Sequence, residues 1–168
     1  AIMDATVKAV KRGTSGEPGE LKGSFNLSED RGELYANTEC GVFGTMSPCA
    51  ITERPAVPVA QPEEVKTGPA TILSNIRGDA VEEFTVEITQ IRSRTADTQN
   101  LIVEVTDPRL LEETGGIVQG MSGSPILQNG KLVGAVTHVM VDDPARGYGI
   151  FVTHMLEQAY AASELRPA

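Results

Sequence analysis

Apolar and polar residues alternate along most of this chain, and a period of two is typical of strands with one buried face. Ten segments fit this pattern or are short apolar runs bounded by turn residues: 5–10, 21–27, 33–36, the residues from 42 onward, 70–76, 81–91, 101–105, 125–127, 132–136 and 148–152. Two further segments, 108–114 and 154–165, are predicted to be helices. We therefore predict an all-β fold with a short helix in its second half and a helix at its end.

The predicted helices differ in how they are recognised. Segment 108–114 has Asp107 at the N-cap position, proline at N1 and glycine just past its end, which are the usual signals of a helix start and stop. Segment 154–165 is recognised by its apolar stripe, for which we expect Leu156, Ala159 and Tyr160 to be buried.

Turn-forming residues separate the strands. Asn129-Gly130 lies between two apolar strands and favours a type I′ hairpin turn, in which both central residues have positive φ. The RGD sequence at 77–79 can be interpreted as an adhesion motif, but its position between two strands favours a hairpin turn. Residues 142–147 are predicted to form a loop.

A serine between glycines is the feature that suggests chemistry. Ser122 lies in a turn between Gly120 and Gly123, and glycines there let backbone N–H groups point into one small space. Such groups can stabilise a developing oxyanion, and we predict the N–H groups of Gly120 and Ser122 as the donors. Taken alone, G-x-S-G is equally consistent with an ordinary turn. The hairpin that follows it favours the catalytic interpretation.

Composition narrows the classes of function. A chain of 168 residues suits one domain or two small barrels. The net charge of −9 argues against a nucleic-acid partner. There is no signal peptide and no apolar run near the ~20 residues of a spanning helix, so we expect no membrane contact from this segment.

The cysteines and histidines do not suggest a metal site. Cys40 and Cys49 flank a turn-rich segment and either form a disulfide across a hairpin or stay as free buried thiols. Two cysteines with two distant histidines lack the spacing of metal ligands. We therefore expect neither a metal nor a cofactor.

The sequence GGIVQGMSGSPILQNGKLVGAVTHV at 115–139, with DDPARGYGI after it, resembles the serine loop of chymotrypsin-like proteases. It resembles more closely the stage IV sporulation protein B peptidase family, serine endopeptidases of spore-forming bacteria. The resemblance extends weakly back to GEPGE at 16–20. It implies a chymotrypsin-like double β-barrel with a partial or truncated first barrel. Because prolines interrupt 54–66, we predict this segment as the connector between a first-subdomain remnant at 1–53 and a serine-bearing subdomain at 67–168.

The resemblance implies roles for individual residues. Ser122 corresponds to the nucleophile, and Asp107 corresponds to the residue proposed as the acid. A side chain that caps a helix need not be free to orient a histidine, so both roles of Asp107 stay open. The family's catalytic histidine lies in a Gly-His motif that has no counterpart here, and His138 and His154 both follow the serine.

The chymotrypsin-like pattern implies further positions. Gly116 falls at the base of the specificity pocket, where glycine selects no charged side chain. Met121 stands where those enzymes place an aspartate that captures a newly freed N-terminus, so we expect no activation by N-terminal insertion. Thr137, His138 and Val139 fall on the strand that would pair with the substrate backbone. For His138 the alternative is a half-exposed strand residue without a function.

Two functions follow from these residues. The first is a serine endopeptidase that cleaves a protein substrate at a membrane-associated sporulation processing complex, after secretion into the space between the two forespore membranes. Ala1 opens directly into strand-like sequence, so we expect a longer parent chain that supplies the histidine, and little activity from this chain alone. The second is a non-catalytic module that holds peptides at an exposed strand edge. A histidine brought to Ser122 from upstream would distinguish them; the sequence carries no indication of oligomeric state.

Overall fold

A computed structural model describes residues 1–48 and 55–164, which form ten strands and two helices. In chain order they are β1 (Ala5–Lys11), β2 (Glu20–Phe25), β3 (Gly32–Thr38), β4 (Gly41–Met46), β5 (Gly68–Ser74), β6 (Glu82–Ile91), β7 (Leu101–Val105), α1 (Pro108–Thr114), β8 (Pro125–Gln128), β9 (Lys131–Met140), β10 (Asp143–Phe151) and α2 (Val152–Ser163). The predicted all-β fold is confirmed.

Six strands close into a barrel in the order β10-β7-β6-β5-β8-β9, and every neighbouring pair is antiparallel. Strand β6 shows why its sequence suits this position. Phe84, Val86 and Ile88 are buried, while the residues between them are exposed. Alternate side chains of a strand point to opposite faces, so β6 fills the barrel with one face and meets solvent with the other.

The first four strands form two separate hairpins, β1–β2 and β3–β4. The β1–β2 hairpin has no buried residue in either strand. The β3–β4 hairpin packs through Cys40 and Phe43 against Ile150 of β10 and against α2. Both hairpins therefore lie outside the barrel, and they differ in how much side-chain packing holds them.

Residues 55–66 run along the barrel before β5. Ala60 N donates to Leu132 O at 2.9 Å, and Leu132 N donates to Pro58 O at 2.8 Å. Ala60 and Val65 are buried in the core. The barrel strands all come from 68–151. The division of the chain at this connector stays a prediction.

The expected loop at 142–147 is wrong for most of its length, because β10 begins at Asp143. Arg146 and Gly147 pair with β7, and Gly147 also pairs with Val139 of β9. The register shifts between Asp143 and Gly147, which accommodates the proline at 144. Pairing on both sides therefore overrides the local turn preference of Asp-Asp-Pro-Ala-Arg-Gly.

The buried stripe of the last helix is also different from the prediction. Helix α2 begins at Val152, directly after β10, and buries Val152 and Ala162. Leu156 is 37% exposed and Tyr160 is 74% exposed, so both were wrongly assigned to the core. Of the predicted stripe, only Ala159 packs on the cluster that the barrel shares with the β3–β4 hairpin, so α2 is buried through another set of residues.

The predicted turns agree with the structure. Asn129 and Gly130 have φ of 53° and 73°, as a type I′ turn requires. The RGD sequence lies between β5 and β6, where Gly78 exchanges two backbone hydrogen bonds with Val7 of β1. It is therefore a structural turn.

The structure also bears on what was expected of the cysteines, of metal binding and of membrane crossing. Cys40 is a buried free thiol, and Cys49 lies outside the described residues. Within the described part of the chain, no group of three or more His, Cys, Asp or Glu side chains could hold a metal ion. In the same residues neither helix has the length and apolar character that crossing a membrane requires.

Candidate active site

The serine loop connects α1 to β8. Helix α1 ends at Gly115, whose φ of 77° suits glycine at this position, as the sequence predicted. The side chain of Met121 is 1% exposed and lies in the main core, so it anchors the loop from the inside. The next residue, Ser122, is exposed. The buried side chain of Met121 therefore holds the loop in place, and the next residue exposes its hydroxyl.

Ser122 lines a cavity of about 250 Å³ between the barrel and the β3–β4 hairpin. Its Oγ donates to Thr137 O of β9 at 2.8 Å. The other lining residues come from the tip of the hairpin, from β9 and β10, and from α2: Thr38, Glu39, Cys40, Gly41, Gly123, Ala135, Val136, Thr137, His138, Ile150 and Met155.

Two backbone N–H groups beside Ser122 are free to bind an oxygen. Gly120 N and Ser122 N donate to no acceptor within the described residues, although the neighbouring amides of Met121, Gly123 and Ser124 all do. Gly120 has φ of 100°, a conformation that favours glycine. Free N–H groups flanking an exposed hydroxyl are the parts of an oxyanion hole.

The second serine of the loop has a different environment. Ser124 is 9% exposed, and its Oγ lies 3.3 Å from Ser74 Oγ in the barrel wall. Its backbone N–H donates to Met121 O at 3.0 Å. Ser124 therefore stabilises the turn, whereas Ser122 faces the cavity.

Neither histidine is hydrogen-bonded to Ser122. His138 is exposed on β9 and lines the same cavity. His154 packs edge-on against Phe151, with ring centroids 5.8 Å apart, and is not among the residues lining the cavity. The described residues thus supply a candidate nucleophile and candidate oxyanion donors but no base hydrogen-bonded to Ser122.

Asp107 is buried and fully engaged. Its Oδ1 accepts from Arg109 N at 2.9 Å, as an N-cap does, and from Arg109 Nε at 3.2 Å. Its Oδ2 accepts from Arg109 Nη2 at 3.0 Å and from Thr85 N at 3.2 Å. These four contacts use the roughly four acceptor positions of a carboxylate. The predicted helix cap is confirmed.

The same hydrogen bonds lower the pKa of Asp107. The hydrogen bond from the Arg109 side chain lowers the pKa of Asp107 below its ordinary value, and the backbone N–H groups of Thr85 and Arg109 add to this. Burial acts in the opposite direction. Asp107 is therefore a permanent anion at neutral pH, held between β6 and α1. Whether it also serves as the acid of a catalytic triad stays a prediction.

The sequence pattern of the family SpoIVB peptidase S55 matches residues 1–156, which is most of the chain. This chain belongs to the SpoIVB peptidase S55 family. The family resemblance of the serine loop is thereby confirmed, and the protein is a peptidase by membership. A comparison with curated proteins gives no match.

A solved structure supports the architecture. The chain is similar to Rv3671c from M. tuberculosis H37Rv, in the inactive form of a serine-to-alanine mutant, with a TM-score of 0.56 and 16% identity. The match covers 90% of this chain and 73% of that chain. At this identity the likeness shows the fold alone. This peptidase therefore has a chymotrypsin-like fold, with one closed barrel and a partial counterpart made of the two hairpins.

The remaining predicted site residues of this peptidase do not all line the cavity beside Ser122. Gly116 is buried against the start of β10, and a Cβ there would lie 2.1 Å from Pro144 O. It does not line the cavity beside Ser122, and its assignment to a specificity pocket stays a prediction. Thr137 and His138 line the cavity, and Val139 follows them on β9.

Two contributors to the site were missed in the sequence. The tip of the β3–β4 hairpin, residues 38–41, forms one wall of the cavity. Strand β2 touches the serine loop through Gly19 and Leu21. Both contacts join segments about a hundred residues apart, and neither has a local pattern. The glycine at 19 was the one available signal, because glycine permits close approach of two backbones.

Proposed function

We propose that this protein is a serine endopeptidase whose nucleophile is Ser122. The observation that carries the proposal is the exposed hydroxyl of Ser122 beside two N–H groups, of Gly120 and Ser122, that lack acceptors within the described residues. A hydroxyl next to free amides can attack a carbonyl and stabilise the resulting oxyanion. Membership of the S55 family supports the same reaction class.

The proposed reaction begins with the attack of Ser122 Oγ on the scissile carbonyl carbon. The hydroxyl proton, now donated to Thr137 O, passes to a base, and the carbonyl oxygen becomes an oxyanion held by the two N–H groups. The C–N bond then breaks, and the base returns the proton to the leaving amine. Hydrolysis of the acyl group by water repeats these steps with water as the nucleophile.

The base is proposed to be a histidine from outside the 168-residue sequence. The sequence has two histidines, and neither is hydrogen-bonded to Ser122. A serine hydroxyl is protonated at neutral pH, so without a base its attack is slow. We therefore expect this chain alone to turn over substrate poorly.

The substrate is proposed to be a protein strand that pairs with β9. Strand β8 pairs with β9 only from Lys131 to Ala135, so within the described residues Thr137, His138 and Val139 have β10 on one side and no strand on the other. An extended peptide can add to such an edge through main-chain hydrogen bonds. The family name supports a sporulation role. A membrane-associated processing complex as partner and the space between the forespore membranes as location are part of the same proposal.

A second candidate is a non-catalytic peptide-binding module. It is favoured by the bond from Ser122 Oγ to Thr137 O, because a nucleophile in a complete site donates to its base instead. The same strand edge at 137–139 would then bind a peptide without cleaving it.

A fluorophosphonate probe tests the first proposal, because it modifies activated serines far faster than ordinary ones. We expect rapid labelling in a longer form of the chain that includes the upstream histidine, and slow labelling in the 168-residue chain. Ser122→Ala should abolish labelling and lower peptide cleavage by about a millionfold, as removal of a catalytic serine does elsewhere. Ser124→Ala is the matched control and should keep most of the labelling.

Each contrary result has a definite meaning. Labelling that survives Ser122→Ala would overturn the assignment of the nucleophile. No labelling of the longer form, together with peptide binding, would favour the binding module. Rapid labelling of the 168-residue chain would show that a base lies within it, and His138 in the same cavity would be tested next by substitution with glutamine.

A further inference from the structure

Strand β2 is bonded to the serine loop through main-chain atoms. Gln119 N donates to Gly19 O at 2.9 Å, and Leu21 N donates to Gln119 O at 2.8 Å. Glu20 thus forms a parallel bridge with Gln119. The loop that carries the candidate oxyanion donors is therefore tied to a hairpin outside the barrel.

These bonds fix the orientation of the Gly120 N–H. In a trans peptide, the carbonyl of one residue and the N–H of the next point in opposite directions. Because Leu21 N holds the carbonyl of Gln119 on the β2 side, the N–H of Gly120 faces away from β2. A half-turn of this peptide would replace the N–H by a carbonyl oxygen, which would repel an oxyanion.

The junction between the hairpin and the loop is tight. A Cβ at Gly19 would lie 2.4 Å from Gly13 N and 2.6 Å from Val118 Cγ1, and a Cβ at Gly120 would lie 3.1 Å from Leu21 Cβ. The hairpin is also fixed at the loop between its strands, where Gly13 N donates to Thr114 O at 2.8 Å. Neither segment can shift along the other without breaking these contacts.

Within the described residues, no charged side chain is hydrogen-bonded to the peptide between Gln119 and Gly120. Met121, beside Gly120, is held by burial of its apolar side chain and by its N–H, which donates to Val118 O at 3.1 Å. The core thus anchors the loop at Met121, but the peptide before Gly120 is exposed and depends on β2.

We propose that β2 sets the oxyanion hole: the backbone N–H of Leu21 holds the Gln119 carbonyl and thereby keeps the Gly120 N–H directed at the reacting carbonyl. This inference rests on the proposed function, since an oxyanion forms there only if Ser122 is a nucleophile. Leu21 is a positioning residue, because it acts through Gln119 and touches no substrate atom.

The decisive variant is Leu21→Pro, which removes the N–H donor, compared with Leu21→Ala, which keeps it. Gly19→Ala is the second variant, in case proline prevents folding, because its Cβ displaces β2 from the loop. Its control is Gly16→Ala in the same hairpin, where a Cβ meets nothing within 4 Å. Alanine at the φ of 78° there strains the hairpin backbone without pushing β2 off the serine loop, so this variant measures the effect of hairpin strain alone. Unfolding by denaturant shows which variants are folded.

Two readouts separate positioning from stability. The first is the rate of fluorophosphonate labelling of Ser122 in the longer form of the chain. Loss of one oxyanion donor costs about 10²–10³-fold in rate, so we expect about a 10²-fold loss for Leu21→Pro and at least a tenfold loss for Gly19→Ala. Leu21→Ala and Gly16→Ala should stay within about threefold of the parent.

The second readout does not need activity. Gln119-Gly120 is the single Gln-Gly pair in the sequence, so carbonyl-13C glutamine with 15N glycine isolates this peptide in an NMR spectrum of the 168-residue chain. We expect its signal to shift strongly or broaden in Leu21→Pro and Gly19→Ala and to shift much less in the two controls, although Leu21→Ala removes a side chain that lies beside Gly120. An unchanged signal in a folded Leu21→Pro or Gly19→Ala chain would overturn the proposal.

The two readouts also distinguish the proposals from each other. A shifted signal with unchanged labelling would overturn the link between β2 and the oxyanion hole. If Ser122 is never labelled, the proposed function fails, and the NMR signal still shows whether β2 orients the peptide.

Discussion

The barrel and the β1–β2 hairpin are held in the protein in opposite ways. The barrel strands bury large apolar side chains such as Phe84, Ile72 and Ile126, all of which are 0% exposed. The hairpin buries no side chain of its strands, and Phe25 at its end is 69% exposed. What ties the hairpin to the barrel is mainly a set of backbone hydrogen bonds, from Val7 to Gly78 and from Leu21 to Gln119 among others, to which the partly buried side chain of Leu21 adds packing against the core.

The two kinds of interaction, apolar burial and backbone hydrogen bonding, have different effects on a protein. Buried apolar area supplies most of the free energy of folding, and it is not directional. A backbone hydrogen bond contributes only about 0.5–1.5 kcal/mol net, but it fixes an orientation. The barrel is therefore expected to carry the stability of this peptidase, and the hairpin to set the geometry of the serine loop.

Substitution of a core phenylalanine should show the largest difference between the two regions. Phe84→Ala leaves a cavity in the barrel and should lower the free energy of unfolding by about 3–5 kcal/mol. Phe25→Ala removes an exposed side chain and should change it by less than about 0.5 kcal/mol. Urea unfolding of the two variants measures both values. Equal losses would mean that the hairpin is part of the folding core.

Removal of the Asp107 carboxylate should have the next largest effect. Asp107→Ala deletes the N-cap and removes the acceptor of the Thr85 N–H, so we expect a loss of about 2 kcal/mol in the free energy of unfolding. Asp107→Asn keeps a capping oxygen and should lose less. In the longer form of the chain, full peptidase activity of Asp107→Asn would leave Asp107 with a structural role only.

The smallest expected effect is the pH dependence of the stability that the Asp107 carboxylate contributes. The folded pKa of Asp107 is lowered by Arg109, so its stabilisation is fully present above the unfolded value of about 3.9 and is lost as the pH falls through the lower folded value. The difference in unfolding free energy between the parent chain and Asp107→Asn should therefore be constant from about pH 5 to 8 and should shrink below about pH 4. A difference that grows on acidification would contradict this assignment.

Local patterns were sufficient for most of the fold and for choosing Ser122 as the candidate nucleophile. The alternation in β6, the glycine and asparagine at the 129–130 turn and the caps of α1 each act over a few residues, so they could be interpreted without knowing the neighbours. Ser122 was found for the same reason, because its flanking glycines are adjacent to it in sequence.

Long-range pairing decided the rest. Residues 143–147 have the composition of a loop but form a strand, because β7 and β9 lie on either side of them. Leu156 and Tyr160 fit an amphipathic stripe, yet the buried residues of α2 are Val152 and Ala162. Local preference is weak compared with pairing and burial, so tertiary contacts override it.

The sequence by itself determined the strands, the turns and the serine that this protein presents, because those depend on period, caps and glycine conformation. Tertiary structure alone decided which peptide groups face that serine. The carbonyl of Gln119 is held by Leu21, 98 residues earlier, and the hydroxyl of Ser122 meets Thr137 O on another strand. Orientation of a backbone amide depends on the acceptors and donors around it, and these are brought together only when the hairpin docks on the barrel.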